Sequence, residues 1–122
     1  MSISDAEAVV MEVLWERGPL LAEDVVAALL QRGQWTEPTI KTLLNRLLNK
    51  RVVSAAKDGR RYVYTPVLAR EDWVHSQSTG LLDRVFGGRV APLVAHFSEQ
   101  GRLTDADIAE LRKLIREIDD GQ

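Results

Sequence analysis

Apolar residues recur at helical spacing through the first fifty positions and predict three helices there. The first helix begins at a capping box formed by Ser4 and Glu7 and ends at Gly18, directly before a proline that cannot continue it. The second begins near Ala22 and carries a stripe of apolar residues on one side. Thr36 is the expected N-cap of the third helix. A three-helix segment is therefore expected at the N-terminal end.

The third helix has one apolar and one polar face. Ile40, Leu43, Leu44 and Leu47 fall within about 100° of one another at 3.6 residues per turn, so they are expected to be buried. The opposite face carries only basic and uncharged polar side chains: Thr39, Lys41, Thr42, Asn45, Arg46 and Asn49. Residues 38–57 contain no aspartate or glutamate, whereas an ordinary solvated helix face mixes both signs of charge. This face is therefore a candidate for contact with an anionic partner.

Two β-prone stretches, residues 52–56 and 61–65, predict a hairpin after the third helix. They flank Asp58-Gly59, where we expect a type I′ turn with positive φ at both central residues. Tyr62 and Tyr64 are expected to pack the hairpin onto the core. The basic side chains of the hairpin are Lys57, Arg60 and Arg61.

Three more helices are predicted after the hairpin: one over about Arg70 to Phe86, a short one from Val90, and one capped by Thr104. Their large apolar positions are Trp73, Leu81, Leu82, Phe86, Leu93, Val94, Phe97, Ile108, Leu111, Leu114 and Ile115. A segment of this length has too little partner surface to bury them all, so we expect a second copy of the chain to cover them. The alternative is that these helices dock back on the N-terminal part of the same chain.

Charge is distributed unevenly along the 122 residues. Residues 37–66 hold seven basic and two acidic side chains, a net charge of +5, whereas residues 67–122 hold seven basic and ten acidic ones, a net charge of −3. A polyanion would meet the basic middle of the chain rather than its formal net charge of −2. The element pattern divides the chain into two expected domains: the three helices and the hairpin at residues 1–67, and a helical dimerisation domain at residues 68–122.

Composition removes several classes of function. The chain has no cysteine, which excludes a disulfide framework, a thiolate zinc site and a cysteine nucleophile. His75 and His96 stand in no recognisable nucleophile or metal-ligand spacing, so we expect no enzyme activity, cofactor or metal. Glu71 and His75 could share a metal on one helix face, but a surface ion pair or simple solvation is the more economical interpretation. We expect neither membrane insertion nor a signal peptide, which favours a cytoplasmic location.

Three helices followed by a hairpin is the order of a winged helix-turn-helix, a mainly α (α+β) fold whose third helix enters the major groove of DNA. Arginine and asparagine read guanine and adenine edges, and basic hairpin residues neutralise phosphates. The predicted DNA-binding residues are therefore Thr39, Lys41, Thr42, Asn45, Arg46, Asn49, Lys57, Arg60 and Arg61. Two alternatives stay open: the polar face has no ligand, or the domain binds protein instead of DNA.

Several motifs resemble the penicillinase-repressor family of bacterial winged-helix transcriptional regulators, over nearly the whole chain. They are Ile3-Ser4-Asp5-Ala6-Glu7, Val13-Leu14-Trp15, Gly18-Pro19, Lys41-Thr42-Leu43-Leu44-Asn45-Arg46-Leu47, Gly59-Arg60-Arg61-Tyr62-Val63-Tyr64, and Phe86-Gly87-Gly88 through Pro92-Leu93-Val94-Ala95-His96-Phe97. One departure stands after Trp35, where Thr36-Glu37-Pro38 replaces the Ser/Thr-Pro-Lys that is frequent in the family. The departure from the family pattern implies one basic contact with DNA fewer at the start of the third helix.

The resemblance implies a repressor that binds a palindromic operator as a homodimer, with interlocked C-terminal helices, and that acts by occluding a promoter. For antibiotic-responsive members it also implies induction by proteolysis, with a membrane sensor protease in the pathway. The matching bond in this chain is His96-Phe97.

Overall fold

The structure, a computed structural model, describes residues 2–121. Helix α1 spans Asp5–Arg17, strand β1 Leu20–Leu21, helix α2 Ala22–Leu30, helix α3 Glu37–Asn49, strand β2 Val53–Asp58 and strand β3 Arg61–Pro66. Helices α4 (Arg70–Phe86), α5 (Val90–Glu99) and α6 (Asp105–Asp120) follow. The chain divides into two compact units, the first ending at His75 and the second beginning at Ser76. The predicted order of three helices, a hairpin and three further helices is confirmed.

Helix α1 begins and ends where its local sequence predicts. The Glu7 N–H donates to Ser4 Oγ at 3.1 Å, and the Ser4 N–H donates to the Glu7 carboxylate at 2.7 Å, which completes the capping box. At the other end Gly18 has a φ of 77°, and its N–H donates to the Leu14 carbonyl. Glycine adopts this backbone conformation without steric cost, so the helix stops there.

Glu7 also pairs with a residue far along the chain. It is 1% exposed, and Lys50 Nζ lies 2.6 Å from its Oε1 while also donating to the Ser2 carbonyl at 3.2 Å. Burial raises the pKa of the Glu7 carboxyl, but hydrogen bonds from Lys50 and Ser4 and the charge of Lys50 outweigh it, so the pKa lies below its ordinary value. The pair ties the start of α1 to the C-terminal end of α3.

Helix α3 ends in a Schellman motif that has arginine at the left-handed position. The Arg51 N–H donates to the Leu48 carbonyl at 3.0 Å, and the Val52 N–H donates to the Leu47 carbonyl at 3.2 Å. Arg51 has a φ of 63°, in a place that glycine usually takes. The motif turns the chain directly from α3 into β2.

The three strands form one antiparallel sheet in the order β1-β3-β2. Strands β2 and β3 pair up to Asp58 and Arg61, so the central residues of their turn are Gly59 and Arg60. Of these two, only Gly59 has a positive φ, 65°. The type I′ prediction was therefore wrong, because a turn with glycine at its first central position alone fits type II′. Strand β1, which the sequence pattern did not predict, pairs with β3.

One hydrophobic core holds the N-terminal unit together. Helix α3 contributes Ile40, Leu43, Leu44 and Leu47, none more than 4% exposed, as its spacing predicts. The remaining buried apolar residues are Ile3, Ala8, Val10, Met11, Val13, Leu14, Val25, Val26, Leu29, Val52 and Val53. Tyr64 packs against this core as predicted, but Tyr62 is 49% exposed and the prediction for it was wrong. The core fixes α3 with its other face turned outward.

The first turn of α4 still belongs to the N-terminal unit. The Trp73 ring lies 5.4 Å from the Trp15 ring, centroid to centroid, and Trp15 Nε1 donates to the Leu68 carbonyl at 2.8 Å. Arg70 Nε pairs with Glu12 at 2.8 Å. Trp73, which the sequence placed among the dimerisation residues, thus has a ring partner within its own unit.

Helices α4, α5 and α6 contain no buried residue in the described part of the chain. Helix α6 nevertheless begins at a second capping box, formed by Thr104 and Asp107, whereas α5 has no side-chain capping bond. Local sequence therefore defines these helices, while their apolar sides stay open within the single chain.

Candidate nucleic-acid interface

The polar face of α3 points outward along its whole length. Its side chains Thr39, Lys41, Thr42, Asn45, Arg46 and Asn49 are all exposed. This exposure follows from the opposite stripe, because the four buried residues of α3 leave a single orientation for the helix. All six sequence-predicted residues of this helix are therefore brought together on one accessible surface.

Local hydrogen bonds engage two of the hydroxyl groups on α3. Thr42 Oγ1 donates to the Pro38 carbonyl at 3.0 Å, and Thr36 Oγ1 lies 3.1 Å from Thr39 Oγ1. Thr36 thus holds the predicted N-cap position but makes no side-chain capping bond to the backbone. Within the described part of the chain, Arg46 has no ion-pair partner, so its guanidinium is available to an acceptor from outside.

The hairpin of β2 and β3, hereafter the wing, adds a second basic surface. Lys57, Arg60 and Arg61 are exposed on it. Arg61 Nη1 lies 3.1 Å from Glu23 Oε1 at the start of α2, while Lys57 and Arg60 form no ion pair with any described residue. The wing therefore presents its three cations in or next to the turn at the tip of the hairpin.

An open cleft of about 390 Å³ lies between α2, α3 and β3. Its charged residues are Glu23, Glu37, Lys41, Arg60 and Arg61. Within the cleft Lys41 Nζ lies 3.3 Å from Glu37 Oε1, one helical turn away. In the cleft, the start of the polar face of α3 lies beside the wing, and the basic residues of both were predicted from the sequence. The two glutamates that line the cleft, Glu23 and Glu37, were not predicted as part of the site.

The C-terminal unit carries a different kind of surface. An apolar groove of about 350 Å³ runs between α5 and α6, with Leu93, Val94, Phe97, Leu111 and Leu114 in its lining. Further along α6, Ile115 and Ile118 are about 60% exposed. Of the predicted dimerisation residues, Leu81, Ile108, Leu114 and Ile115 are exposed, and Trp73, Leu82, Phe86, Leu93, Val94, Phe97 and Leu111 are half-buried.

Among the described residues no helix is both long and apolar enough to cross a membrane. The same residues contain no group of three or more side chains that could hold a metal ion. His96 lies within α5, where its ring is 5.3 Å from that of Phe97 and 6.1 Å from that of Phe86. The His96 carbonyl accepts the N–H of Gln100, so the proposed cleavage bond stands in regular helix.

A helix face of basic and amide side chains beside a basic wing defines a winged-helix domain of the DNA-binding class. The family model described as penicillinase repressor matches residues 3–117. This chain therefore belongs to the penicillinase repressor family, a family of transcriptional repressors rather than a class of enzymes.

Individual relatives agree with the family. The chain is 34% identical over 115 residues to the penicillinase repressor of Bacillus licheniformis, covering 94% of this chain and 90% of that protein. The DNA-binding domain of the repressor BlaI, solved in solution, matches 58% of this chain and 87% of its own, at 38% identity and a TM-score of 0.54.

The monomeric form of Bacillus licheniformis BlaI, solved in complex with the blaP half-operator, matches 59% of this chain and 88% of its own, at 38% identity and a TM-score of 0.53. Together these similarities confirm the winged-helix fold that the sequence predicts.

Proposed function

We propose that this protein represses transcription by binding palindromic operator DNA as a homodimer, with α3 in the major groove and the wing on the adjacent backbone. The observation that carries this proposal is the outward-facing side of α3, on which Lys41, Asn45 and Arg46 share one surface with three further hydrogen-bonding side chains. Such a face offers donors to phosphates and to base edges.

The two parts of the surface have different tasks in this proposal. Arg46 lies in the last turn of α3, and Asn45 directly precedes it. In this proposal both side chains reach base edges, where arginine pairs best with guanine and asparagine with adenine. Lys57 and Arg60 lie on the wing and neutralise phosphates, which strengthens binding without reading sequence. The domains expected at residues 1–67 and 68–122 thus divide DNA binding from dimerisation.

Homodimerisation is supported by the apolar surface of the C-terminal helices. Exposed isoleucine and leucine side chains on α6 continue the groove between α5 and α6, and a contiguous apolar surface of this kind marks an interaction site. A second copy would bring two α3 helices about 34–36 Å apart, or a multiple of that distance, which matches one turn of duplex DNA. The relative solved with a half-operator supports an operator made of two such halves.

The test begins with selection of bound fragments from random duplexes by the purified full chain, which is expected to recover a palindrome. Binding to the recovered duplex is then measured by fluorescence anisotropy over a series of salt concentrations. Arg46→Ala is expected to weaken binding by roughly 10- to 100-fold and to relax preference at one position of each half-site. Lys57→Ala is expected to weaken binding to all duplexes alike and to lower the salt slope by about 1.

The matched control is Arg17→Ala, which removes an exposed arginine from the last turn of α1, outside the proposed interface. It should leave the affinity nearly unchanged. If Arg46→Ala and Lys57→Ala behave like this control, the assignment of the two surfaces is wrong. If the wild-type chain itself shows no salt-dependent duplex binding, the rival function, a winged-helix domain that binds protein, takes its place.

Release from DNA by proteolysis is the remaining part of the proposal, with a membrane sensor protease system upstream. The bond assigned to cleavage, His96-Phe97, would have to leave the helical conformation of α5 before a protease could use it. Mass spectrometry of the protein from induced cells is expected to show fragments that end at His96. Only intact chain in fully derepressed cells would refute this step.

A further inference from the structure

Two carboxylates stand where the proposed DNA-binding surface is otherwise basic. Glu23 lies in the first turn of α2 and Glu37 in the first turn of α3, and both line the cleft beside Lys41 and Arg61. Like charges placed against each other across an interface cost binding free energy, and a carboxylate repels DNA phosphates in this way. Neither glutamate has a role in the proposed contacts with DNA.

Each carboxylate holds one of the cations assigned to DNA contact. Glu37 Oε1 lies 3.3 Å from Lys41 Nζ, and Glu23 Oε1 lies 3.1 Å from Arg61 Nη1. All four side chains are more than half exposed, so the two ion pairs contribute little to folding. The main effect of the two ion pairs is therefore on the affinity of Lys41 and Arg61 for any other anionic partner.

We propose that Glu23 and Glu37 compete with DNA phosphates for Arg61 and Lys41, and that they lower the affinity of the domain for every duplex. The proposal rests on the DNA-binding function proposed above. A duplex that docks on α3 and the wing must draw each cation away from its carboxylate or share it. In either case one uncompensated negative charge per pair remains close to the phosphate backbone.

The competition has a definite signature in salt. Affinity for a duplex falls with rising salt in proportion to the number of phosphates that the protein neutralises. A cation already neutralised by a carboxylate releases fewer counterions from DNA when it binds. The two glutamates therefore make the salt response of the wild-type protein shallower than its count of basic side chains suggests.

The test uses Glu23→Gln and Glu37→Gln in the full-length protein, since glutamine keeps the shape of the side chain and removes its charge. The probes are the palindromic duplex recovered by selection and a scrambled duplex of equal length. Each variant is expected to bind both duplexes about 3- to 10-fold more tightly at about 0.1 M salt. The slope of log affinity against log salt should steepen by up to about 0.9 per variant.

Glu12→Gln is the matched control, because Glu12 pairs with Arg70 at 2.8 Å and does not line the cleft. It should leave both affinities and the salt slope unchanged. Thermal melting of the three variants should nearly coincide with that of the wild type, because all the affected ion pairs are at least partly exposed.

Combined substitutions separate competition from general repulsion. If Glu23 acts by holding Arg61, the gain in affinity from Glu23→Gln is smaller in an Arg61→Ala background than in the wild type, and the gain from Glu37→Gln is smaller in a Lys41→Ala background. Gains that are undiminished in these backgrounds overturn the competition, because general repulsion of phosphates then accounts for them. It is equally overturned if Glu37→Gln changes preference at a single base pair, because Glu37 would then read a base.

The two proposals fail in distinguishable ways. A wild-type protein without salt-dependent duplex binding overturns both of them. A wild-type protein that binds duplex DNA, with glutamine variants that match it in affinity and salt slope, overturns the competition alone.

Discussion

Helices α3 and α6 are both amphipathic, yet they use their apolar stripes differently. The stripe of α3 is buried in its own unit, where four of its residues are at most 4% exposed. The stripe of α6 contains Leu114, Ile115 and Ile118, each of which is more than half exposed. Full burial of such a side chain contributes about 1.5–3 kcal/mol. The N-terminal unit gains this free energy by burying the stripe within one chain. The C-terminal unit would gain it only in the proposed dimer.

The contrast extends to charge. The basic excess is confined to residues 37–66, because residues 1–36 and residues 67–122 both carry more acidic than basic side chains. The surface proposed to bind DNA is therefore locally basic, whereas the surface proposed for dimerisation is apolar. Stability and binding are thus separable by substitution, which the following four predictions exploit.

The largest effect is expected from Leu47→Ala in the core of the N-terminal unit. Leu47 is fully buried, so the substitution should leave a cavity and lower the free energy of unfolding by about 2–5 kcal/mol, measured by urea denaturation. Leu30→Ala, on a half-exposed leucine of the same unit, should cost much less. Equal effects of the two would mean that the core is not where the structure places it.

Ile115→Glu should break the C-terminal unit's association without unfolding it. A charge introduced into the proposed interface is expected to raise the dimer dissociation constant by roughly 30-fold or more, which corresponds to about 2 kcal/mol. Sedimentation equilibrium measures the constant, and circular dichroism checks that helicity is kept. Lys113→Glu, at an exposed position on the opposite face of α6, serves as the charge control. Unchanged dimerisation of Ile115→Glu would remove this face from the interface.

Glu7→Gln should lower the free energy of unfolding by about 1–2 kcal/mol at pH 7, less than is usual for a broken buried pair because Lys50 is 38% exposed. The pKa of Glu7 is lowered in the folded state, so its contribution is full above the ordinary carboxyl pKa and is lost as the pH falls through the folded value. The wild type and the variant should therefore converge in stability at acidic pH. Glu12→Gln, at an exposed ion pair, should show neither effect.

The smallest effects are expected at two glycines and should have opposite signs. Gly59 has a φ of 65° in the wing turn, so Gly59→Ala should cost about 1 kcal/mol through backbone strain. Gly80 lies inside α4, where an added Cβ meets only Arg84 Nη1 at 3.7 Å, so Gly80→Ala should add about 0.5–1 kcal/mol. Thermal unfolding measures both. Destabilisation by Gly80→Ala would indicate close approach of a partner chain at this helix.

Features that depend on neighbouring residues were predictable from the sequence. The capping box of Ser4 and Glu7, the end of α1 at Gly18 and the buried stripe of α3 all follow from local spacing. The turn of the wing shows the limit of such reasoning. The pair Asp58-Gly59 correctly predicted where the turn lies. The register of β2 and β3, however, makes Gly59 and Arg60 the central residues, one position later than expected.

Features that join distant parts of the chain were not predictable. The pair of Glu7 and Lys50 spans 43 positions, and the contact of Glu23 with Arg61 exists only because β3 passes the start of α2. Strand β1 has two residues and needs β3 to define it. The left-handed backbone conformation at the end of α3 was not predictable, because Arg51 occupies the position that glycine usually takes. Of the candidate site, the cations of α3 and the wing were predictable, and the carboxylates that hold two of them were not.

The positions of the tryptophans, with Trp15 against Trp73, determine what fluorescence can report about this molecule. Trp35 also lies against the N-terminal core, so all three indoles of the chain belong to the first unit. Intrinsic tryptophan fluorescence will therefore report the unfolding of the winged-helix unit. It will not change when two chains separate at α5 and α6. A tryptophan placed at Phe97 would give the second unit an optical signal of its own.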